Sequence, residues 1–253
     1  MLLDYSSVLA NVSETERGTF QMPGIAGAFL RAWRSVSSLK QSVTAKTMEK
    51  LVQGVARFRR EGFRDNQALF SELAKGQKPE VLFITCSDSR IDPNLLTQTA
   101  PGELFVIRNA GNIVPRYGAV EGGESATIEY AVKVLGVKDV VICGHSHCGA
   151  MAGMNDPSQL GALPAVRSWL VNSEEAAQKM ADQYADLEDP ALRLEKAVEL
   201  NVLAQLNNLK THPSVASALE AGTLGLHGWT YQFEEGNVRE YDAVSGDFKS
   251  LGA

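Results

Sequence analysis

The sequence predicts an α/β protein: a central, mostly parallel β-sheet flanked by helices, with an N-terminal helical arm and a C-terminal hairpin. Three observations carry this. Short apolar runs at 81–84, 104–107 and 140–143 read as buried parallel strands. Helical patterns alternate with them, which implies a parallel sheet with crossovers. Each run ends directly in a polar cluster, on the sheet edge where open α/β folds bind ligands. A length of 253 residues is enough for one such domain with a substantial core.

Along the chain, residues 1–22 are polar and aperiodic, an arm held by little. From Ile25, apolar residues recur at Phe29, Trp33, Val36 and Val43 with basic residues between, the pattern of a basic amphipathic helix. We therefore divide the chain into an extension, 1–46, that carries this basic amphipathic helix, and a main domain, 47–253. Helices are predicted at 48–63 and 67–74. The first strand, 81–84, runs into Thr85-Cys86-Ser87-Asp88, and the second, 104–107, into Arg108-Asn109-Ala110-Gly111-Asn112. A helix over 125–135 leads to the third strand, which ends at Gly144-His145-Ser146-His147-Cys148-Gly149. Residues 162–220 are mainly helical. Residues 224–233 and 238–241, joined around Glu235-Gly236-Asn237, form a closing hairpin.

The bulk composition excludes several function classes. A net charge of −6 argues against a general nucleic-acid binder. The charge is uneven: residues 23–46 contain Arg31, Arg34, Lys40 and Lys46 and no acid. No apolar run has the roughly 18 residues of a membrane span, and the first twenty residues lack the pattern of a secretory leader. The expected location is the cytoplasm. Three cysteines, Cys86, Cys143 and Cys148, do not make a disulfide framework; beside histidines they point to metal or catalysis.

Cys86 follows one strand, and His145 and Cys148 follow another. A His-x-x-Cys step lets both ligands face one ion. Two thiolates and one imidazole suit Zn2+, and three protein ligands leave its fourth position open, as in catalytic sites. Alone, Cys86 reads as a small buried hydrophobe, and His145-x-x-Cys148 is a weak signal. Their joint placement after buried strands is what points to a metal. Cys143 is expected to point into the core and His147 to project away from the ion.

Cys86-Ser87-Asp88-Ser89-Arg90 sets a carboxylate two residues from a ligand and a guanidinium two further on. Asp88 can accept a proton from metal-activated water, and Arg90 can grip it by a bidentate pair and keep it ionised. In isolation, an Asp-x-Arg step is an ordinary loop salt bridge.

At these residues the sequence resembles the β-class carbonic anhydrases, closest to the bacterial and cyanobacterial branches. Cys86-Ser87-Asp88-Ser89-Arg90 and His145-x-x-Cys148-Gly149 match the two family motifs. Pro101-Gly102-Glu103, Arg108 to Asn112, Glu129-Tyr130-Ala131 and Leu226-His227-Gly228-Trp229 resemble family segments between and beyond them. The resemblance spans about Met48 to Asp242. It implies zinc-dependent hydration of CO2 to bicarbonate, with hydroxide generated at the ion as nucleophile and Asp88 and Arg90 assisting. It also implies a homodimer or higher homo-oligomer with sites at the dimer interface. Gln77 matches a glutamine that reaches the partner's substrate pocket, and Gly149 a glycine whose amide helps bind substrate.

The sequence also departs from the family. A second, inhibitory bicarbonate site in some members uses a Trp, an Arg and a Tyr. Arg108 and Tyr231 match, but Phe83 stands at the tryptophan position, so the expected enzyme lacks this regulation. Residues 23–46 are expected to pack on a neighbouring subunit or to dock on an anionic membrane face or a protein partner; a carboxysome is a further candidate location. Two other functions fit the same motifs: hydrolysis of carbonyl sulfide or carbon disulfide, and a non-catalytic, bicarbonate-sensing scaffold. The intact Asp88–Arg90 pair argues against the last. For the proton's exit, Tyr117 and His147 are the candidates.

Overall fold

The computed structural model describes residues 46–119 and 122–252. The basic stretch 23–45, and with it the expected amphipathic helix, lies outside them. The chain divides after Ser71 into two compact units. In the first, helical residues 46–60 (α1) and α2 (Gly62–Asp65) lead into α3 (Gln67–Leu73). Phe63 and Phe70 stack at 5.3 Å between ring centres, and Phe58 meets both edge to face at 6.3 and 5.7 Å.

The second unit is built on a six-stranded sheet in the order β2-β1-β3-β4-β5-β6. Its strands are β1 (Val81–Cys86), β2 (Leu104–Asn109), β3 (Asp139–His145), β4 (Gly225–Gln232), β5 (Asn237–Asp242) and β6 (Asp247–Ser250). The first four are mutually parallel, and β5 and β6 return antiparallel. The α/β reading stands. The C-terminal hairpin is β4–β5, but it continues into β6, which the sequence reading did not include. The helix expected at 125–135 is α5 (Gly123–Tyr130) followed by one π-helical turn, Ala131–Leu135.

The central strands β1 and β3 are buried on both sides, one face under helices and the other against Ile91 and Leu96 of the segment after β1, which includes α4 (Pro93–Thr97). Leu82, Ile84, Val140 and Ile142 point to one layer; Phe83, Val141 and Cys143 point to the other. The first layer is closed by α9 (Pro190–Lys210), a 21-residue helix about 30 Å long, with α8 (Glu174–Gln183) packed against it. Asp189 caps it, accepting from the amides of Ala191 and Leu192, and Pro190 opens it. The helix lies hard against β3. A side chain at Gly144 would meet Val198 Cγ1 at 2.8 Å and Val202 Cγ2 at 3.0 Å, so only glycine permits this approach.

Register aligns the strand ends that matter. Cys86 pairs with Asn109, and Thr85 pairs with Cys143, two residues before His145. The three polar clusters therefore emerge together at the carboxyl edge of β1, β2 and β3.

Candidate metal centre

Cys86 is the last residue of β1 and His145 the last of β3. Cys148 caps α6 (Gly149–Asn155). The link between them turns sharply: His147 adopts a left-handed φ of 55°, rare for a residue with a side chain. That turn brings Cys148 back towards His145 and throws His147 outward, where its Nε2 bonds Glu234. The donor atoms of Cys86, His145 and Cys148 all lie within 4.8 Å of one another, and all three residues are buried. They are the sole such His/Cys/Asp/Glu group among the described residues.

The imidazole shows what this cluster fits. Nδ1 of His145 donates to the carbonyl of Ser146 at 2.8 Å, which leaves Nε2 as a lone pair. Nε2 is buried and has no hydrogen-bond partner. An unpaired acceptor is costly to bury, and a cation supplies what it lacks. The sulfurs carry the matching charge problem. The Cys86 thiol is pulled well below its usual value, first by the S–H of Cys148 and against burial, with the His145 ring and the Gly111 amide helping. Cys148 is pushed up by that same contact and by burial. The two sulfurs thus share one proton, which a dication displaces by stabilising both thiolates. Two sulfurs and one imidazole nitrogen fit zinc.

Asp88 and Arg90 form the expected pair. Arg90 Nε and its backbone N–H donate to Oδ1 at 2.9 and 3.0 Å, and Nη2 donates to Oδ2 at 2.7 Å. The guanidinium hydrogen bond holds the Asp88 carboxyl far below the usual carboxylate range, against partial burial. Asp88 Oδ2 stands 4.0 Å from His145 Nε2. Arg90 is itself seated, donating to the His147 carbonyl at 3.2 Å and lying 4.6 Å from the centre of the Phe233 ring.

Other expected residues fall elsewhere. Gln77 is exposed on the loop before β1, and Cys86 ends that strand. A strand of this length puts its two ends roughly 15 Å apart, and Gln77 lies before the far end from Cys86. Gly149 opens α6 with open space around its Cα. Cys143 is fully buried within β3, its thiol pushed up to about 12 by burial. Tyr117 is exposed and contacts His212 edge-on at 5.7 Å. Phe83 packs in the core against Trp229. Arg108 holds the Cys86–Asp88 loop, donating to the carbonyls of Cys86 at 3.1 Å and Asp88 at 2.7 Å.

Sequence reasoning missed that supporting role of Arg108, together with Phe233, Gly111, Trp169 and Asn201. The Gly111 amide donates to Cys86 Sγ at 3.4 Å. Gly111 has a φ of +81°, and a side chain there would meet Ala150 Cβ at 3.0 Å and Met151 Cε at 3.1 Å. A glycine at the end of a strand run is the one signal that pointed to it.

Comparison with known proteins agrees with this geometry. Residues 81–238 match the carbonic anhydrase family model. A carbonic anhydrase of Pseudomonas aeruginosa is 53% identical over 205 residues, 81% of this chain and 92% of that one. One of Synechocystis sp. is 50% identical over 202 residues, 79% and 73% of the respective chains. Among solved structures, the β-carbonic anhydrase CcaA superposes with a TM-score of 0.79 at 48% identity, covering 81% of this chain and 99% of that one. A tetrameric β-carbonic anhydrase of the ascomycete Sordaria macrospora gives 0.69 at 30% identity, covering 82% and 98%. With a Cys–His–Cys cluster at the sheet edge inside the matched span, this chain belongs to the carbonic anhydrase family, in its β class of bacterial type.

Proposed function

We propose that Cys86, His145 and Cys148 are the ligands of the zinc ion with which this enzyme interconverts CO2 and bicarbonate, and that Asp88 and Arg90 are its acid–base pair. The buried, partnerless Nε2 of His145 between two cysteine sulfurs carries this reading. When bound, Zn2+ acts as a Lewis acid that draws the pKa of water towards about 7.

The remaining work falls to the protein. Arg90 engages both Asp88 oxygens and so keeps the carboxylate from turning in as a further ligand. Asp88 keeps lone pairs free to accept a hydrogen bond from the reacting water and hold it in one orientation. An aspartate so strongly clamped does not retain a proton; it passes it on to solvent or buffer. Arg108 fixes the Asp88 backbone so that the carboxylate stays in register with His145. Gly149 offers its amide to substrate oxygen at the start of α6.

We further place Gln77 in the pocket of a neighbouring copy. Its position at the far end of β1 from Cys86 supports this, as does the tetrameric assembly of the Sordaria relative. The active unit is then a homo-oligomer. The extension 1–46 serves as an arm on the neighbouring subunit, and residues 47–253 form the catalytic domain. Deleting residues 1–44 should break the oligomer; an intact oligomer that loses membrane or protein recruitment would assign the arm to docking instead. No described helix is long and apolar enough to cross a membrane.

X-ray absorption at the zinc edge tests the ligand set. Two sulfur and one nitrogen donors from the protein, with one light solvent donor, are expected. A fourth protein donor would contradict the open site that hydration needs.

A further inference from the structure

Cys86 Sγ accepts a hydrogen bond from Gly111 N–H at 3.4 Å, beside one from the Asp88 backbone. That N–H belongs to the Ala110–Gly111 peptide, and the carbonyl of the same peptide accepts from Trp169 Nε1 at 2.9 Å. The peptide is trans, so its N–H and C=O point in opposite directions. Trp169 therefore holds one end of a rigid plane whose other end faces the sulfur. A carbonyl that accepts a hydrogen bond also polarises its own N–H into a better donor.

The next peptide is pinned too. Asn201 Nδ2 donates to the Gly111 carbonyl at 2.9 Å. Asn201 is completely buried on α9, and its Oδ1 is taken by Ser173 Oγ at 2.8 Å and Gln205 Nε2 at 2.9 Å. With both flanking peptides fixed, Gly111 is locked at its left-handed φ and has no freedom to swing its amide away.

We infer that Trp169, on α7 (Pro164–Leu170), and Asn201, on α9, are positioning residues for the metal centre. They hold the Gly111 amide on the Cys86 sulfur and thereby set how much charge that thiolate gives the ion. This rests on Cys86 being a ligand. Neither residue belongs to the Cys–His–Cys cluster, and neither motif of the chain contains them. Packing alone would be satisfied by any large ring at 169; the bond to the Ala110 carbonyl requires an N–H.

The experiment uses the full chain with Co2+ in place of zinc and reads the thiolate-to-cobalt charge-transfer band. Trp169→Phe keeps an aromatic ring and removes the donor. A site-specific benzothienylalanine at 169, the tryptophan isostere with sulfur for N–H, does so with less disturbance if the phenylalanine variant folds poorly. Val166→Ala, on the same helix, is the packing control. We expect the band to move to longer wavelength in both donor-less variants, because the sulfur becomes more electron-rich, and to stay in place in Val166→Ala. A band unmoved in the isostere, or moved equally in Val166→Ala, overturns the inference. Absence of any thiolate-to-cobalt band in the parent protein would instead sink the ligand set beneath it.

Discussion

Arg90 takes both carboxylate oxygens of Asp88, Nε on Oδ1 at 2.9 Å and Nη2 on Oδ2 at 2.7 Å, and leaves the carboxylate poised beside His145. The clamp does two things at once: it holds Asp88 ionised, and it spends the orientations in which Asp88 could bind the ion itself. Activity and metal retention should therefore separate at this pair.

Asp88→Asn keeps the shape and removes the charge. Zinc content should stay near one per chain while turnover falls on the order of 100-fold or more, the usual scale for a positioned acid–base group. Stopped-flow CO2 hydration beside metal analysis checks this; an unchanged rate removes Asp88 from the mechanism.

Gly111→Ala places a methyl where φ is +81° and where Ala150 Cβ and Met151 Cε stand at 3.0 and 3.1 Å. We expect a loss of about 1–3 kcal/mol from backbone strain and overlap, together with weaker zinc retention, because the loop that carries the Cys86 donor must move. Urea unfolding and chelator competition measure the two effects. Parent-like zinc affinity in this variant would contradict the loop's role.

Gly144→Ala should destabilise without altering the donor set. Its Cβ would press on Val198 and Val202 of α9 at 2.8 and 3.0 Å, an overpacking cost of about 1–3 kcal/mol. The urea midpoint should fall. A midpoint at the parent value would mean that α9 does not lie as close to β3 as described.

The clasp at His227 sets a pH dependence. Burial disfavours its charge, but Glu240 on Nδ1 at 2.6 Å and Asp139 on Nε2 at 3.1 Å outweigh burial and raise its pKa. The folded value is then above the unfolded value of about 6.5. Its contribution to stability is fully present below that pH and is lost as pH rises through the folded pKa. His227→Gln should therefore cost most in mild acid and progressively less in alkali. Urea unfolding of both proteins across that range tests the sign; a gap that widens with pH reverses it.

Much of this was legible because strand ends advertise themselves. Cys86, Asp88, Arg90, His145 and Cys148 each follow an apolar run, and the parallel sheet aligns those runs at one edge. What was illegible depends on which way a helix face turns. Asn201, Gln205 and Asn208 are polar residues at helical spacing on α9, yet all are buried and bond the backbone between Gly111 and Val114. No local pattern reports that a distant loop needs those side chains as hydrogen-bond partners. Trp169 is a lone aromatic on a short, mostly exposed helix, so its bond to Ala110 left no periodic trace. β6 escaped notice because in Asp247–Ser250 only Phe248 is apolar, too little for alternation to show.

The most direct test of the account is zinc content measured alongside stopped-flow CO2 hydration in the parent protein and in Cys148→Ala. One zinc per parent chain with rapid hydration is expected, and loss of both in the variant. Parent-like hydration by a Cys148→Ala protein free of metal would contradict the account at its centre.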